Sequence, residues 1–129
     1  MQTEGSCDMT QCLIVDACEA ERSRIQAMLA AYKFDLDVAG HAREALEKCR
    51  GAVPDMILMS ERLDDMNALD FIKRVRRTWP HRAPVVLVYS DEANPSRIGR
   101  AIWEGASECL VQPFDANVLD DKLRLVGLI

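Results

Sequence analysis

Short apolar runs alternate with stretches of helical periodicity, and this alternation limits the possible folds more than any other feature of the chain. The runs are CLIV, DLDVA, MILM, PVVLVY and ECLV, at residues 12–15, 35–39, 56–59, 84–89 and 108–111. Runs of this length, bounded by polar residues and rich in β-branched side chains, are typical of strands inside a sheet. The sequence therefore predicts five β-strands.

Helical periodicity follows each of these runs. It predicts helices over about 19–32, 42–49, 68–75, 94–102 and 115–126, with Gly51 and Pro54 ending the second and Asn94 and Pro95 beginning the fourth. Parallel strands require crossover connections, which helices usually supply. Five strands alternating with five helices thus predict an α/β fold: a doubly wound, five-stranded parallel sheet in a three-layer (βα)5 sandwich.

Composition fits one domain and argues against several functions. A chain of 129 residues, 49% apolar, is long enough for one hydrophobic core, which we assign to residues 11–129, with residues 1–10 as a flexible lead-in. A net charge of −5 argues against a nucleic-acid partner, and no apolar run approaches the ~20 residues that span a bilayer. Because no basic and apolar leader is visible, we expect a cytoplasmic protein without a membrane partner.

The cysteines favour neither a disulfide framework nor a zinc site. They are odd in number and no two are spaced as Cys-x-x-Cys, so we expect reduced thiols at Cys7, Cys12, Cys18, Cys49 and Cys109. Cys18 lies near the predicted strand ends, but no cation beside it in sequence suggests a reactive thiolate.

Ligands of doubly wound sheets bind outside the carboxyl ends of the strands. The residues at those ends are Asp16 and Ala17 after the first strand, Ser60 after the third, Tyr89 and Ser90 after the fourth, and Gln112 after the fifth.

Four stretches resemble the response-regulator receiver domains of two-component signalling. They are LIVDACEAER, PDMILMSERLDDMNALDFIKRVR, PVVLVYSDE and EGASECLVQPFD, and together they follow the order and spacing of that family from residue 11 to residue 126. The resemblance implies a CheY-like fold and a signalling role rather than an enzyme. It also implies partners such as a histidine kinase, a phosphotransfer protein or another regulator.

The residues at the family's phosphorylation site differ from its usual pattern. Asp16 matches the first of two acids that hold Mg²⁺ in the family, and Ala17 replaces the second. Ser60 stands where the family has its phosphoacceptor aspartate, Tyr89 where it has a switch Ser or Thr, and Gln112 where it has a lysine. The resemblance thus indicates a degenerate phosphorylation site.

Two further positions depart from the family and one agrees with it. Cys109 stands where many members have an aromatic residue, and Ala68 replaces a glycine. The resemblance also implies a cis peptide bond between Gln112 and Pro113.

These substitutions remove what phosphoryl transfer to a carboxylate requires: an anionic nucleophile, a divalent cation and a stabilising cation. Ser60 is neutral, and no histidine is placed beside it as a general base. One carboxylate, Asp16, should hold Mg²⁺ weakly at most, so we expect no cofactor and no metal site. The sequence predicts a stand-alone pseudo-receiver, monomeric or weakly dimeric, that acts through phosphorylation-independent protein contact.

The contact surface is predicted from the resemblance alone. It is the face of the fourth helix, fifth strand and fifth helix, with candidates Arg97, Arg100, Trp103, Glu104 and Cys109. An exposed tryptophan often anchors an interface, but Trp103 packed against the edge of the core is an equal alternative.

The sequence leaves the roles of several acids and of Tyr89 open. Tyr89 either enters the pocket and bonds to Asp16 or turns outward toward the fourth helix. Asp16 itself is either a residual metal ligand or a cap for backbone N–H groups of the loop that follows it. Asp64 and Asp65 are placed to favour the N-terminus of the helix that follows them.

Two rival functions also stay open. A working phosphorelay receiver would carry phosphate on an unusual acceptor, namely Asp16, Glu61, Asp64 or Ser60. A flavodoxin-like cofactor binder would need a glycine- or hydroxyl-rich loop after the first strand, which DACEAER does not provide.

Overall fold

Five parallel strands form one sheet in this computed structural model, which describes residues 9–92 and 94–129. In chain order they are β1 (Thr10–Val15), β2 (Phe34–Ala39), β3 (Met56–Ser60), β4 (Val85–Ser90) and β5 (Glu108–Val111). Their order across the sheet is β2-β1-β3-β4-β5. The direction of winding therefore reverses between β1 and β3, which is where a doubly wound sheet opens its ligand crevice.

Helices follow each strand, as the periodicity predicted. They are α1 (Glu19–Leu29), α2 (Ala42–Gly51), α3 (Ala68–Thr78), α4 (Pro95–Glu104) and α5 (Ala116–Leu125). The doubly wound α/β prediction is confirmed. No helix among the described residues has the length and apolar character needed to cross a membrane.

Two hydrophobic layers cover the sheet because side chains alternate between its faces. One layer joins the sheet to α2, α3 and α4, and the other joins it to α1 and α5. The central strand β3 is buried along its whole length. Its apolar composition is thus explained by contact with helices on both faces.

Several predicted boundaries move by a few residues. The first helix was predicted to reach Tyr32 but ends at Leu29. Beyond the helix, Tyr32 stacks on Phe34 with ring centroids 5.3 Å apart, and its hydroxyl donates to Asp120 on α5 at 2.6 Å. Tyr32 thus packs on β2 and α5 from the segment after the helix.

The N-terminal boundary also shifts. β1 begins at Thr10, one residue before the predicted start of the domain, whereas residues 1–8, with Cys7, lie outside the described residues. The flexible character of the lead-in remains a prediction.

Two local predictions are confirmed. Asn94 caps α4, accepting hydrogen bonds from the backbone N–H groups of Ser96 and Arg97, and Pro95 is the first helical residue. The peptide bond between Gln112 and Pro113 is cis, as the resemblance implied.

Candidate functional site at the strand ends

The carboxyl ends of β1, β3, β4 and β5 bring the predicted residues to one edge of the sheet. The backbone ties the ends together: the N–H of Glu61 donates to the carbonyl of Tyr89 at 2.8 Å, and the N–H of Gln112 donates to the carbonyl of Ser90 at 2.7 Å. Asp16 follows β1 on the same edge. The site is therefore held by the sheet rather than by loops alone.

Asp16 is 5% exposed, and each of its carboxylate oxygens accepts a hydrogen bond. The backbone N–H of Cys18 donates to Oδ1 at 2.8 Å, and the hydroxyl of Tyr89 donates to Oδ2 at 2.6 Å. A guanidinium nitrogen of Arg22 donates to the Asp16 carbonyl at 2.6 Å. Asp16 thus caps the following loop, one of its two predicted roles, and also binds a phenol.

Tyr89 points into the site, which decides between its two predicted orientations. Its side chain is fully buried, and its ring meets Phe114 edge-on with centroids 5.9 Å apart. Burial, reinforced by the hydrogen bond to Asp16, raises the pKa of Tyr89 far above its ordinary value. The phenol is therefore a neutral hydrogen-bond donor at physiological pH.

The prediction that Tyr89 ends the fourth strand is wrong. β4 continues to Ser90, which pairs with Val111 of β5. Tyr89 is therefore an internal strand residue on the face covered by α1 and α5, and Ser90 carries the hydroxyl at the strand end. The Ser90 hydroxyl donates to the carbonyl of Glu92 at 3.0 Å. The cross-strand pairing that extends β4 is not encoded in local periodicity.

Ser60 is the last residue of β3 and lies directly beside Tyr89 in the sheet. It is 9% exposed, and its hydroxyl oxygen accepts a hydrogen bond from the backbone N–H of Arg62 at 3.1 Å. Within the described residues, no group of three His, Cys, Asp or Glu side chains could hold a metal ion.

Gln112 is directed toward α1. Its amide nitrogen donates to Glu21 at 2.9 Å, and Glu21 forms an ion pair with Arg24 at 3.1 Å. The Arg24 guanidinium in turn lies 5.3 Å from the centre of the Phe114 ring. Ala17 is exposed in the loop after β1 and adds no polar group to the site.

The predicted contact residues differ in their ion-pair partners. Arg97 pairs with Glu61 and Glu92, and Glu104 pairs with Lys73 of α3 at 3.7 Å. Glu104 is thus paired with α3, and Arg97 is paired with the segments that follow β3 and β4.

Trp103, in contrast, is 87% exposed, which excludes its packing against the core edge. Ile102 beside it is 42% exposed, whereas Cys109 is half-buried on β5 and packs against the core layer of α2, α3 and α4. Burial raises the pKa of the Cys109 thiol, with Glu108 adding to the shift. Trp103 is therefore the most exposed large apolar side chain among the described residues.

Asp65 was predicted to favour the N-terminus of the helix that follows it, α3, but it acts at the N-terminus of α2. Its carboxylate accepts hydrogen bonds from the N–H groups of Ala42 and Arg43 at 3.0 and 2.9 Å, so it caps α2 rather than α3. Burial acts to raise the pKa of Asp65, but the hydrogen bonds from Arg43 and Ala42 outweigh it and lower that pKa. His41, the residue before this helix, makes no side-chain hydrogen bond to the helix N-terminus, and Asp65 supplies that acceptor instead.

Comparison with known proteins decides the family. The model of the response regulator receiver domain matches residues 12–124. The chain belongs to the response regulator receiver domain family. As a receiver domain, it is a module of two-component signalling.

Receiver-domain relatives include curated proteins from plants and bacteria. The two-component response regulator ORR6 of Oryza sativa subsp. japonica is 31% identical over 118 residues, covering 87% of this chain and 69% of that protein. The chemotaxis protein CheY of Thermotoga maritima is 30% identical over 118 residues, covering 89% and 95%.

Solved structures agree on the fold. CheY4 of Vibrio cholerae matches this receiver domain with a TM-score of 0.82 and 27% identity, over 92% of this chain and 98% of that one. A co-crystal structure of the Saccharomyces cerevisiae phosphotransfer protein Ypd1 with the receiver domain of Ssk1 matches with a TM-score of 0.84. That match has 15% identity and covers 93% and 90% of the two chains, so it shows the fold alone.

Proposed function

We propose that this receiver domain does not accept phosphate and signals through protein contacts that are independent of phosphorylation. The observation that carries the proposal is the hydrogen bond from Tyr89 to Asp16 beside a serine at position 60. Where the resemblance places an acceptor carboxylate, the chain has a neutral hydroxyl, and a buried phenol engages the remaining acid.

The donor set does not suit Mg²⁺. The ion requires near-octahedral oxygen ligands, usually including carboxylates. Both Asp16 oxygens already accept hydrogen bonds, one from Cys18 N–H and one from Tyr89. A metal that displaced the phenol would leave a buried hydroxyl without its partner, at a cost of about 1–3 kcal/mol.

Ser60 is also poorly placed to act as a nucleophile. Its hydroxyl oxygen already accepts a hydrogen bond from Arg62 N–H, which lowers rather than raises its reactivity. A serine nucleophile requires a general base in contact with it. The Gln112 side chain, at the position of the family's lysine, is bound to Glu21 and does not supply a cation.

Phosphorylation can be tested directly by incubating the chain with Mg²⁺ and acetyl phosphate and measuring its intact mass. We expect no phosphoryl adduct. The triple variant Ala17→Asp, Ser60→Asp, Gln112→Lys restores the family's residues at these positions and tests whether they restore phosphorylation. CheY of Thermotoga maritima controls for the phosphodonor. A stoichiometric adduct on native Asp16, Glu61, Asp64 or Ser60 would contradict the proposal and favour an unusual phosphorelay receiver.

The proposed contact surface is centred on Trp103. Exposed tryptophans often contribute strongly to protein interfaces, and Ile102 extends the apolar surface along α4. The proposed partners are histidine kinases, phosphotransfer proteins or other regulators. The Ypd1–Ssk1 co-crystal structure supports the phosphotransfer class, because a receiver domain binds such a protein there.

Trp103→Ala tests this surface in binding assays with purified candidate partners, without phosphodonor. We expect at least a tenfold loss of affinity, the scale of an interface anchor. Met9→Ala is the matched control, because Met9 is an exposed apolar residue (39%) outside α4, β5 and α5. Equal affinity for both variants and the native chain would exclude Trp103 as the anchor.

A further inference from the structure

A cavity of about 400 Å³ lies between α3 and α4, apart from the pair formed by Tyr89 and Asp16. Its apolar wall comes from three elements: Leu69 and Ile72 of α3, Val88 of β4, and Ala101 of α4. Ala101 is 7% exposed, and its single methyl group leaves space that a larger side chain would fill. The volume falls within the ~300–1,000 Å³ of typical small-molecule sites.

Arginines form much of the polar rim of this cavity. Arg62 pairs with Asp91 at 3.1 Å, and Arg97 pairs with Glu61. Arg100 also lines the cavity, and no carboxylate of the described residues lies within ion-pair distance of it. One guanidinium on the rim is therefore available to an anion.

We propose that this cavity binds a small organic molecule with an apolar ring system and one anionic group, the anion lying at Arg100. The apolar body would lie against Leu69, which is partly exposed, and against the exposed edge of Ala101, with the buried Ile72 beneath them. A single negative charge is favoured because Glu61 lies on the same rim and would repel a second one. Ligand pockets are usually lined by apolar side chains, and a few polar groups set the orientation of the ligand. An apolar body with one anchored charge fits that pattern.

Charge recognition is tested with anilinonaphthalene sulfonate, a fluorescent probe with an apolar ring system and one anionic group. Fluorescence titration of the native chain should saturate at one site. Arg100→Gln should weaken binding about tenfold, the effect of losing one charge-assisted hydrogen bond. Arg77→Gln, which removes an arginine of α3 that does not line the cavity, should leave affinity unchanged.

An uncharged analogue separates the charge from the apolar contacts. Phenylnaphthylamine lacks the sulfonate, so it should bind the native chain and Arg100→Gln equally. If Arg100→Gln weakens both probes alike, or neither, the assignment of the anion to Arg100 is wrong.

Filling the cavity provides an independent test. Ala101→Leu should abolish saturable binding of the sulfonate probe, whereas Trp103→Ala, which removes the exposed ring on the same helix, should not. If Ala101→Leu does not fold, Leu69→Trp places a larger side chain at a partly exposed position of the same cavity.

Chemical-shift mapping on the native chain completes the test without substitution. The sulfonate probe should shift the amide signals of α3 and α4 next to the cavity. Probe binding that survives the filling variants, or that shifts only signals around Trp103, would overturn the proposal.

Discussion

Two tyrosine–aspartate hydrogen bonds of equal length stabilise different regions of this receiver domain. Tyr89 donates to Asp16 at 2.6 Å beneath the strand ends, and Tyr32 donates to Asp120 at 2.6 Å between the end of α1 and α5. Tyr89 is fully buried, whereas Tyr32 is only half-buried. The main cause of the raised pKa differs accordingly: burial for Tyr89, and the hydrogen bond to Asp120 for Tyr32.

The comparison teaches that surroundings, not bond length, decide what such a bond contributes. At the surface, water can replace a lost partner, and Asp120 also binds Arg124 at 2.8 Å. Beneath the strand ends no such replacement is at hand, so an unpaired carboxylate oxygen keeps its full desolvation cost. Four predictions test this difference, beginning with the largest expected effect.

Tyr89→Ala should lower the free energy of unfolding by about 3–5 kcal/mol, because it removes a buried ring and leaves a cavity next to Phe114. Urea denaturation measures the change. Tyr32→Ala is the matched control and should have a clearly smaller effect. If the two variants are equally destabilised, burial does not distinguish these regions.

Tyr89→Phe keeps the ring and removes only the hydrogen bond to Asp16. We expect a loss of about 1–3 kcal/mol, the cost of leaving a buried acceptor unsatisfied. The same urea assay applies. An unchanged unfolding midpoint would show that the ring, and not its hydroxyl, stabilises the site.

Alkaline pH should destabilise the native chain more than it destabilises the Tyr89→Phe variant. The pKa of Tyr89 is raised in the folded state, so its contribution is complete below the ordinary tyrosine pKa of about 10 and is lost as pH rises above it. The expected extra slope is about 1.4 kcal/mol per pH unit.

Unfolding measured from pH 9 to pH 11 (about the range in which free tyrosine ionises) tests this slope. Burial also raises the pKa of Cys12 to about 12 and of Cys49 to about 11, so both thiols add to the slope in either protein. The difference between native chain and variant isolates Tyr89, and identical slopes would refute the prediction. Only two tyrosines are present, so tyrosinate absorbance can follow both.

Tyr32→Phe should have the smallest effect on the free energy of unfolding, at most about a third of the loss expected for Tyr89→Phe. The reason is that solvent reaches both Tyr32 and Asp120. It should also return the pKa of Asp120 toward its ordinary value, since the hydrogen bond from Tyr32 is the main cause of its lowering. NMR titration of Asp120 checks this. A loss as large as that of Tyr89→Phe would reverse the comparison.

The sequence by itself determined the five strands, the five helices and the parallel sheet. Those features follow from periodicity and caps within about ten residues, as the Asn94 cap of α4 illustrates. It also placed Asp16, Ser60 and Gln112 at strand ends, because strand ends are marked by local changes in polarity.

Only the tertiary structure decided which partners those residues have. Pairing with β5 extended β4 to Ser90. On the face of the sheet that α1 and α5 cover, Tyr89 meets Asp16, which lies 73 positions earlier in the chain. Asp65 likewise caps α2, although it lies 22 residues after Arg43 in the sequence. Periodicity reports which face of an element is buried, but it carries no information about which remote side chain meets that face.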